Sequence, residues 1–497
     1  MYYHLCTKAS QVAAFPGRND MNTANLRALT CALITFFTAT GNSGLSGAEV
    51  RPNVLFIMSD DLNMNVGCYG DTPVKTPNLD RLAARGVRFD RAYCQFPLCN
   101  PSRASMFTGL RPDTIKVYDL QKNFRSERPR ITTMPQLFKN NGYFSARVGK
   151  MYHYGVPRQI GSGGMDDPDS WDLAINPRGR DKDEEDKLHV LTRGTGSTLG
   201  FSMSWLNMDG RDEDQTDGQC TTESIRLLER FAKEKRPFFL GAGFFRPHTP
   251  YVAPQKYFDM YPKDRVSLIE GPKDDLADVP DMALTVRPAN YGLPESDLKD
   301  CMRAYFASIT FVDAQVGRLL DALDRLGLTD NTIIVFVSDH GYLLGEHGQW
   351  QKQMLFDESN RVPMIFAGPG VKGRGASPRT VEMLDIYPTL VELCGLPKPK
   401  HKLEGESLVQ LLADPQAPRD HPAYSQVQRG TDQSPPGPIV MGRSVRTERW
   451  RYTEWDGGKL GSELYDHDND PHEYKNLVND AAQAKVVVEM KRLLSKH

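Results

Sequence analysis

The chain has 497 residues, of which 39% are hydrophobic and 25% are charged. This apolar content supports one or two conventional domains with large cores, and it excludes a disordered chain, a small disulfide-stabilised protein and a coiled coil. Lys and Arg number 61 against 63 Asp and Glu, and the net charge of -2 gives no overall field for holding nucleic acid or an anionic membrane. Binding of an anion therefore requires a local group of cations.

The first 48 residues have the order of features that is typical of a secretory leader. Met21 begins a segment with one basic residue, an apolar run from 28 to 39, and small residues leading to Ala48. The apolar run is too short to span a membrane. We therefore expect residues 1–48 to be leader and signal peptide, with Met21 as a candidate true start, and the mature protein to be secreted or periplasmic without a stable membrane span. The alternative is a disordered N-terminus with a chance apolar patch.

Apolar runs and helical periodicity alternate through the first part of the mature chain. The apolar runs predict four buried strands: Asn53–Ser59, Pro237–Phe245, Thr332–Ser338 and Pro363–Ala367. Helical spacing predicts helices over 79–85 and 302–323. Strands that alternate with helices are typical of an α/β fold with a mainly parallel sheet, in which ligands bind at the carboxyl ends of the strands. The segment from Gly155 to Gln219 has no clear period, and we expect a long insertion on the surface or over the site.

The sequence changes after about residue 400 to short strands separated by turns. We predict strands at Ser444–Thr447, Trp450–Glu454 and Glu463–Tyr465, and a terminal helix that begins at Asp470-Pro471. We therefore predict two domains in the mature chain: an α/β domain, residues 49–400, and a smaller C-terminal α+β subdomain with an antiparallel sheet, residues 401–497.

The sequence Cys99-Asn100-Pro101-Ser102-Arg103 combines a thiol with the features of a helix start. Because proline suits the first turn of a helix, we expect Cys99 just before a helix N-terminus, where free N–H groups and the helix dipole favour an anion. Arg103, one turn into the helix, adds a forked cation. The alternative is a buried cysteine before an ordinary helix.

These residues, followed by Thr108-Gly109-Leu110-Arg111-Pro112, resemble the CxPSR and TGxxP signature of the type I sulfatases. Further matches occur in the same order along the chain and are most similar to the iduronate-2-sulfatase group: Val148-Gly149-Lys150, Arg246-Pro247-His248-Thr249-Pro250, Ser338-Asp339-His340-Gly341 and Gly345-Glu346-His347-Gly348. The resemblance implies the alkaline-phosphatase-like sulfatase fold, with a large mainly parallel sheet flanked by helices. It also implies that a formylglycine-generating enzyme oxidises Cys99 to formylglycine, whose hydrated aldehyde is the nucleophile.

Three acids and a histidine follow two of the predicted strands: Asp60, Asp61, Asp339 and His340. Carboxylate oxygens suit calcium or magnesium, and an imidazole can complete such a site. The alternative is that these acids cap helices or pair with Arg and Lys. The resemblance implies that the four residues and the converted Cys99 hold one calcium ion, with magnesium the less favoured metal.

Sulfate-ester cleavage places negative charge on the sulfuryl oxygens and then on the leaving alkoxide, so it requires positive groups and one acid. The candidate catalytic residues are Cys99, Arg103, Lys150, His153, His248 and Lys352. The resemblance implies that Lys150 and Lys352 bind sulfate, that His153 supports the nucleophile and that His248 protonates the departing alcohol. Taken singly, such Lys and His residues are more typical of a solvated surface.

These features predict an enzyme that hydrolyses sulfate esters on sulfated sugars or polysaccharides. Its partners would be the sulfated saccharide and the formylglycine-generating enzyme. We expect no nucleic-acid partner. One alternative is a phosphonate monoester or phosphodiester hydrolase on the same scaffold, because phosphate and sulfate groups have similar size and geometry. A second alternative is a non-catalytic sugar-binding protein in which Cys99 is not converted.

Some residues near the motifs stay outside the predicted catalytic set. Tyr342, His347 and Trp350 are as typical of packing as of sugar stacking. The chain differs most from the iduronate-2-sulfatase group in Gly155–Gln219 and beyond residue 400, and Arg246 stands where that group tends to carry Lys. These differences concern the substrate more than the reaction. Five further cysteines of the mature chain lead us to expect no more than one disulfide: Cys68, Cys94, Cys220, Cys301 and Cys394.

Overall fold

The computed structural model of the protein describes residues 51–191, 203–430 and 438–496. The predicted signal peptide, residues 1–48, lies outside these ranges. Within the described ranges, no helix is both long enough and apolar enough to cross a membrane. The six cysteines of the described chain are all free thiols.

The described residues form strands in four sheets. In chain order the strands are β1 (Asn53–Asp60), β2 (Gly86–Tyr93), β3 (Phe144–Gly149), β4 (Leu173–Ile175), β5 (His189–Val190), β6 (Ser204–Met208), β7 (Phe238–Pro247), β8 (Tyr251–Pro254), β9 (Thr332–Ser338), β10 (Leu343–Leu344), β11 (Trp350–Gln351), β12 (Met364–Ala367), β13 (Gly375–Glu382), β14 (Ala423–Arg429), β15 (Val440–Arg446), β16 (Trp450–Trp455) and β17 (Ser462–Asp466).

The α-helices of the same residues range from four to 31 residues in length. In chain order they are α1 (Pro77–Ala84), α2 (Cys99–Thr108), α3 (Pro112–Ile115), α4 (Phe124–Glu127), α5 (Met134–Asn140), α6 (Arg180–Asp183), α7 (Thr216–Glu234), α8 (Gln255–Phe258), α9 (Glu295–Arg325), α10 (Asp357–Asn360), α11 (Ile386–Leu393), α12 (Val409–Ala413) and α13 (Ala484–Leu494).

The largest sheet has eight strands in the order β13-β2-β12-β9-β1-β7-β3-β4. Every neighbouring pair is parallel except the two that involve β12, which runs antiparallel to both β2 and β9. Strand β1 lies between β9 and β7 and is buried along its whole length. The mainly parallel α/β sheet predicted from the sequence is therefore confirmed, and its four predicted strands are β1, β7, β9 and β12.

Helices cover both faces of this sheet, which explains why its central strands are apolar without interruption. Leu55 and Ile57 of β1 belong to one hydrophobic cluster, together with the apolar faces of α7 and α9. Val54 and Phe56, which point to the opposite face, belong to a second cluster that includes residues of α2, α5 and α11. Each face of β1 thus buries alternate side chains under a different layer of helices.

The segment from Gly155 to Gln219, which has no clear period in its sequence, contains short regular elements in its described parts. Strand β4 extends the main sheet beside β3, and β6 pairs in parallel with β8 in a separate three-stranded sheet. Helix α7 begins at Thr216, within the segment. These short strands give no period in the sequence because they have too few residues to show one.

A four-stranded antiparallel sheet follows in the C-terminal part, in the order β14-β15-β16-β17. The terminal helix α13 packs on it and begins at Ala484, not at Asp470 as predicted. Residues 470–475 form turns instead, and Glu473 has a φ of +61°. The buried Glu473 carboxylate pairs with Arg451 and His467, so this residue is held away from a helical conformation.

Candidate active site

The predicted site residues meet at the carboxyl edge of the main sheet. Strands β1 and β9 are in parallel register, with Ser59 opposite Ser338, so the acids that follow both strands lie side by side. Lys150 directly follows β3, and His248 directly follows β7. The parallel register of four strands therefore brings together residues that are as far apart in the sequence as Asp60 and Asp339.

Cys99 is the first residue of α2 and is only 1% exposed. The sequence placed it one residue before the helix, a difference within the usual variation of helix boundaries. Its Sγ lies 3.3 Å from Lys352 Nζ, 3.5 Å from His340 Nε2 and 3.9 Å from Asp61 Oδ1. Burial, together with the charge of Asp60, raises the pKa of the Cys99 thiol. The unmodified residue is therefore a protonated thiol at neutral pH.

Four of the predicted metal-binding residues surround this thiol. One potential ligand atom from each of Asp60, Cys99, Asp339 and His340 lies within 4.8 Å of the others, and Asp61 belongs to an overlapping group with His248. Asp60, Asp61, Asp339 and His340 have no exposed surface. His340 Nδ1 is 2.8 Å from the carbonyl of Gly341, which can only accept, so the lone pair of Nε2 is directed into the group. This donor set fits a divalent cation that prefers oxygen ligands.

The same acids also form ion pairs, as the alternative interpretation of the sequence predicted. Arg103 Nε donates to Asp339 Oδ2 at 2.8 Å, and its Nη2 donates to Asp60 Oδ1 at 3.2 Å. Lys150 pairs with the other oxygen of Asp60, and Lys352 Nζ lies 2.6 Å from Asp61 Oδ1. Three carboxylates thus face three cations, so the ion-pair and metal-site interpretations involve one set of residues.

The charges in this cluster shift the pKa values of their neighbours. Burial acts to raise the pKa of Asp60, but Lys150, His248 and Arg103 outweigh it and hold that pKa well below its ordinary value. Burial acts to lower the pKa of Lys352, but Asp61 and Cys99 outweigh it and raise that pKa. A carboxylate and an ammonium group therefore coexist although both side chains are buried.

Arg103 lies behind the site rather than at its opening. Its side chain is fully buried, and Nη1 donates to the carbonyl oxygens of Lys150 and Met151 at 2.8 and 2.9 Å. With the bonds to Asp60 and Asp339, four of its five N–H groups have protein acceptors. Arg103 is therefore placed to hold the acids and the turn after β3 in position, rather than to receive an anion from solvent.

Two histidines complete the set of candidate catalytic residues. His248 is 9% exposed; its Nδ1 donates to the Thr249 carbonyl at 2.5 Å, and its Nε2 lies 3.8 Å from Asp61 Oδ2. His153 is 8% exposed, and its Nδ1 has no hydrogen-bond partner in the described chain. Burial lowers the pKa of both imidazoles well below the ordinary value, reinforced by Lys352 for His248 and by Lys150 for His153.

Some supporting contacts had no clear signal in the sequence. The Tyr305 hydroxyl donates to the Asp61 carbonyl at 2.7 Å and accepts from the Asn63 N–H at 3.0 Å, so it fixes the turn after β1. Tyr305 lies on the apolar stripe of α9, where an aromatic residue is indistinguishable from core packing. Ser102, by contrast, is part of the CxPSR motif, and its hydroxyl bonds the Asp339 carbonyl.

The three residues kept out of the catalytic set are all buried in packing contacts. The Tyr342 ring stacks on Tyr305 with centroids 5.2 Å apart, and the His347 ring stacks on Phe356 at 4.0 Å. Trp350 donates from Nε1 to Asn290 at 2.8 Å. These contacts assign structural roles to Tyr342, His347 and Trp350.

Comparison with known proteins gives the family. Residues 52–396 match the family model described as Sulfatase, and residues 345–497 match the model for the C-terminal part of N-sulphoglucosamine sulphohydrolase. The chain belongs to the sulfatase family. It is accordingly a sulfuric ester hydrolase, and the type I sulfatase resemblance of the Cys99 motif is confirmed.

Two relatives and one solved structure show how far the similarity extends across this sulfatase. A sulfatase of Formosa agariphila is 34% identical over 460 residues, which cover 90% of this chain and 87% of the relative. Human iduronate 2-sulfatase is 34% identical over 509 residues, covering 86% of this chain and 91% of the human protein. A phosphonate monoester hydrolase of Silicibacter pomeroyi superposes with a TM-score of 0.72 at 23% identity, covering 90% and 95% of the two chains. At that identity the superposition shows a shared fold alone.

Proposed function

We propose that this sulfatase hydrolyses sulfate esters on sulfated sugars or polysaccharides, using formylglycine at position 99 and a bound calcium ion. The observation that carries the proposal is the position of Cys99 at the start of α2, in contact with Lys352, His340 and Asp61. The similarity to human iduronate 2-sulfatase supports a sulfated sugar as the substrate class. Which sugar and which sulfate position are recognised depends on outer parts of the site.

The residues present fit calcium, and Asp60, Asp61, Asp339 and His340 would hold it. When bound, the ion would offset the negative charge of the three carboxylates and polarise the oxygens of the nucleophile and the sulfate. Once converted, residue 99 would supply an aldehyde hydrate, with one hydroxyl to attack sulfur and a second to let sulfate depart.

The remaining steps belong to the side chains of this chain. Lys352 places its ammonium group beside residue 99, and Lys150 places its own on the neighbouring Asp60. There they stabilise the charge that grows on the sulfuryl oxygens. His248 holds its Nδ1 proton on the Thr249 carbonyl, so Nε2 is the nitrogen that takes up and delivers the proton for the departing alkoxide. Burial and Lys352 lower the pKa of the unliganded imidazole, so the negative charge of the bound sulfate ester has to favour the imidazolium form that donates from Nε2. His153 stays neutral through burial and accepts a proton from the nucleophile. Overall, one water and one sulfate ester give one alcohol and one hydrogensulfate.

We further propose that the protein is secreted or periplasmic and is matured by a formylglycine-generating enzyme. The order of features in residues 21–48 supports export, and the CxPSR motif supports maturation. The division of the mature chain at residue 400 likewise remains a proposal. In this scheme residues 49–400 carry the chemistry, and residues 401–497 support it from the side of β14–β17.

The decisive experiment combines peptide mass spectrometry with paired assays on the purified full chain. Conversion of Cys99 is expected to reduce the mass of its peptide by about 18 Da. The converted protein is expected to hydrolyse an aryl sulfate and a sulfated disaccharide much faster than an aryl phosphodiester. An active protein with unconverted Cys99 would exclude the formylglycine mechanism, and a preference for the phosphodiester would make the protein a phosphodiester hydrolase. Full conversion with no turnover of any ester would indicate a sugar-binding protein.

A further inference from the structure

The turn that carries His248 is anchored by a buried charge network outside the site described above. His248 directly follows β7, and two residues near the end of that strand, Phe245 and Arg246, direct their backbone N–H groups at one carboxylate. Asp217 Oδ1 accepts from the Phe245 N–H at 2.9 Å, and Oδ2 accepts from the Arg246 N–H at 3.0 Å. Asp217 lies in the first turn of α7 and is only 2% exposed.

The Arg246 side chain makes a second set of bonds on the same turn. Its Nη2 donates to Asp181 Oδ2 at 2.9 Å, and its Nη1 donates to the His248 carbonyl at 3.3 Å. Both ion-pair side chains are 3% exposed. The planar guanidinium thus joins a buried carboxylate to the backbone of the candidate acid, which a single ammonium group cannot do with the same geometry.

Asp181 is itself fixed on its other oxygen. Its Oδ1 accepts from the Thr216 N–H at 2.7 Å and from the Thr216 hydroxyl at 2.6 Å, so it satisfies free donors at the start of α7. Asp181 belongs to α6, which lies in the segment between Gly155 and Gln219. The segment between Gly155 and Gln219, which contains no catalytic motif, is therefore connected to the His248 backbone by the Arg246 side chain.

This arrangement is important because the position of a proton donor controls the rate of the reaction that it assists. A displacement of about 1 Å in a reacting group can cost about a hundredfold in rate. A buried ion pair is also costly to break, because removing one partner leaves an unpaired buried charge. The turn at His248 has its own backbone bond, from the His248 N–H to the Phe245 carbonyl at 3.1 Å, and side chains add to it. Asp217 accepts from two backbone N–H groups, and Arg246 donates to the His248 carbonyl.

We propose that Arg246, held by Asp181, is a positioning residue that sets the backbone of His248 so that Nε2 meets the departing alcohol. The inference deepens the proposed function and rests on His248 being the general acid. It explains why Arg stands at this position: the fork bonds Asp181 and the His248 carbonyl together. Arg246 does not touch the nucleophile, so its effect must pass through His248.

The test compares two substrates in three variants of the full chain. Arg246→Lys keeps the charge beside Asp181 but cannot maintain both bonds. The double variant Asp181→Asn/Arg246→Gln removes both charges together, so that neither is left unpaired in the core. Arg419→Lys is the matched control, because it alters another buried Arg–Asp pair, 3.0 Å from Asp385, outside the candidate site.

Only a substrate with a poor leaving group needs the proton from His248. We expect both Arg246 variants to lower kcat on the best sulfated saccharide of a mono- and disaccharide panel by about tenfold or more. On 4-nitrophenyl sulfate, whose leaving group needs little protonation, we expect a loss below about threefold. KM should change little, and Arg419→Lys should affect both substrates alike. Equal losses on the two substrates in the Arg246 variants would overturn the proposal and leave Arg246 a structural residue.

A second readout does not depend on turnover. Diethyl pyrocarbonate modifies accessible imidazole nitrogens, and peptide mass spectrometry reports the rate at His248. We expect this rate to rise at least severalfold in both Arg246 variants and to stay unchanged in Arg419→Lys. If the wild-type protein hydrolyses no sulfate ester but the rate rises, the proposed function fails and the anchoring role stands. An unchanged rate in both variants would overturn the anchoring role even in an active enzyme.

Discussion

Cys99 is the residue on which the proposed chemistry depends most directly. Cys99→Ala is expected to abolish turnover of sulfate esters, because the change removes the group that becomes the nucleophile. The melting temperature should change little, since alanine replaces a small side chain. Cys99→Ser is expected to be nearly as inactive, because a single hydroxyl cannot release sulfate by forming an aldehyde. Assays on purified variants with matched circular dichroism spectra check this, and a Cys99→Ala protein with more than trace activity would contradict it.

Substrates with good and poor leaving groups distinguish the role of His248 from the role of the two lysines. His248→Ala is expected to slow a sugar sulfate by about a hundredfold or more, the usual scale of general acid catalysis, and an aryl sulfate far less. Lys150→Ala and Lys352→Ala should slow both substrates alike, because they remove charge from the sulfuryl oxygens. If His248→Ala slows both substrates equally, His248 binds sulfate, and Lys352 becomes the next candidate for the acid.

The acids at the carboxyl edge can be tested through the metal directly. Asp61→Asn and Asp339→Asn are each expected to weaken calcium binding by about tenfold or more, since each removes a charged oxygen donor from a small ligand set. Calorimetric titration of chelator-treated protein gives the affinity without any assay of turnover. Asp321→Asn, which alters only an exposed pair with Arg81, serves as the control. If calcium binds the wild type and both variants equally, these acids form only the ion-pair cluster.

Residue identities and their order were enough to predict most of this site, but not its supports. Cys99, Lys150 and His248 each stand in a motif, and the structure brings them together with Lys352, which the family resemblance indicated. Tyr305 carries none, because a tyrosine on an apolar helical stripe has the same pattern whether or not its hydroxyl binds a catalytic turn. Contacts of this kind join residues that are far apart in the chain, and the residue pattern of a single sequence does not show which distant residues meet.

At the scale of elements, α1 and α9 are joined by an acid that caps a helix from outside it. Asp313 of α9 accepts from the backbone N–H groups of Asn78 and Leu79, at 3.1 and 2.8 Å, in the first turn of α1. Burial raises the pKa of the Asp313 carboxyl to about 6, although these hydrogen bonds oppose the shift. The folded state therefore binds a proton at Asp313 more tightly than the unfolded chain does.

This linkage predicts the sign of a pH effect. The contribution of Asp313 to the free energy of unfolding is greatest below pH 4 and is lost as the pH rises to about 6, because the folded state then loses the proton it favours. The difference corresponds to about 3 kcal/mol. Asp313→Asn is expected to remove this decrease, so between pH 4 and 6 the free energy of unfolding of the variant should fall less, or rise more, than that of the wild type. Urea unfolding at several pH values measures the difference. An identical slope in both proteins would show that the pKa of Asp313 is the same in the folded and unfolded states.

The elements themselves differ in how clearly the sequence predicts them. The sequences of β1 and β9 are continuous apolar runs, because helices cover both faces of the sheet at its centre. Strand β2 was not predicted, since Arg88, Asp90 and Arg91 interrupt its apolar residues at half-buried positions. Strand β3 was also missed, because it contains Arg147, which is buried against Asp166 at 2.7 Å. A buried charge breaks the apolar pattern, and its partner is visible only in the folded protein.

At the scale of the whole molecule, the antiparallel sheet shares a core with the segment that carries the nucleophile. Phe96 and Leu98, just before Cys99, belong to one hydrophobic cluster with Val427, Trp455 and Tyr465 of β14, β16 and β17. The cluster also includes Met354 and Leu355, which follow Lys352. The C-terminal strands therefore pack against the segment before Cys99 and the segment after Lys352. Loss of that packing should displace the catalytic residues.

One buried ion pair reinforces this junction and gives the last prediction. Glu473 binds the Arg451 guanidinium through both oxygens, accepts from the Asp357 N–H at 2.9 Å, and contacts His467 at 2.7 Å. Arg451 in turn donates to the Leu355 carbonyl, three residues after Lys352. Glu473→Ala leaves the buried Arg451 without its counter-ion, which typically costs about 3–5 kcal/mol.

We expect Glu473→Ala to lower the melting temperature by several degrees and to reduce the temperature at which activity is lost by the same amount. Because the two sheets share a core, calorimetry should show one unfolding transition rather than two. Arg449→Ala is the matched control: its pair with Asp466 is 47% exposed on the arginine side, so its loss should cost less than about 1 kcal/mol. A second transition, with activity retained after the first, would mean that the C-terminal sheet unfolds independently and that its packing does not support the site.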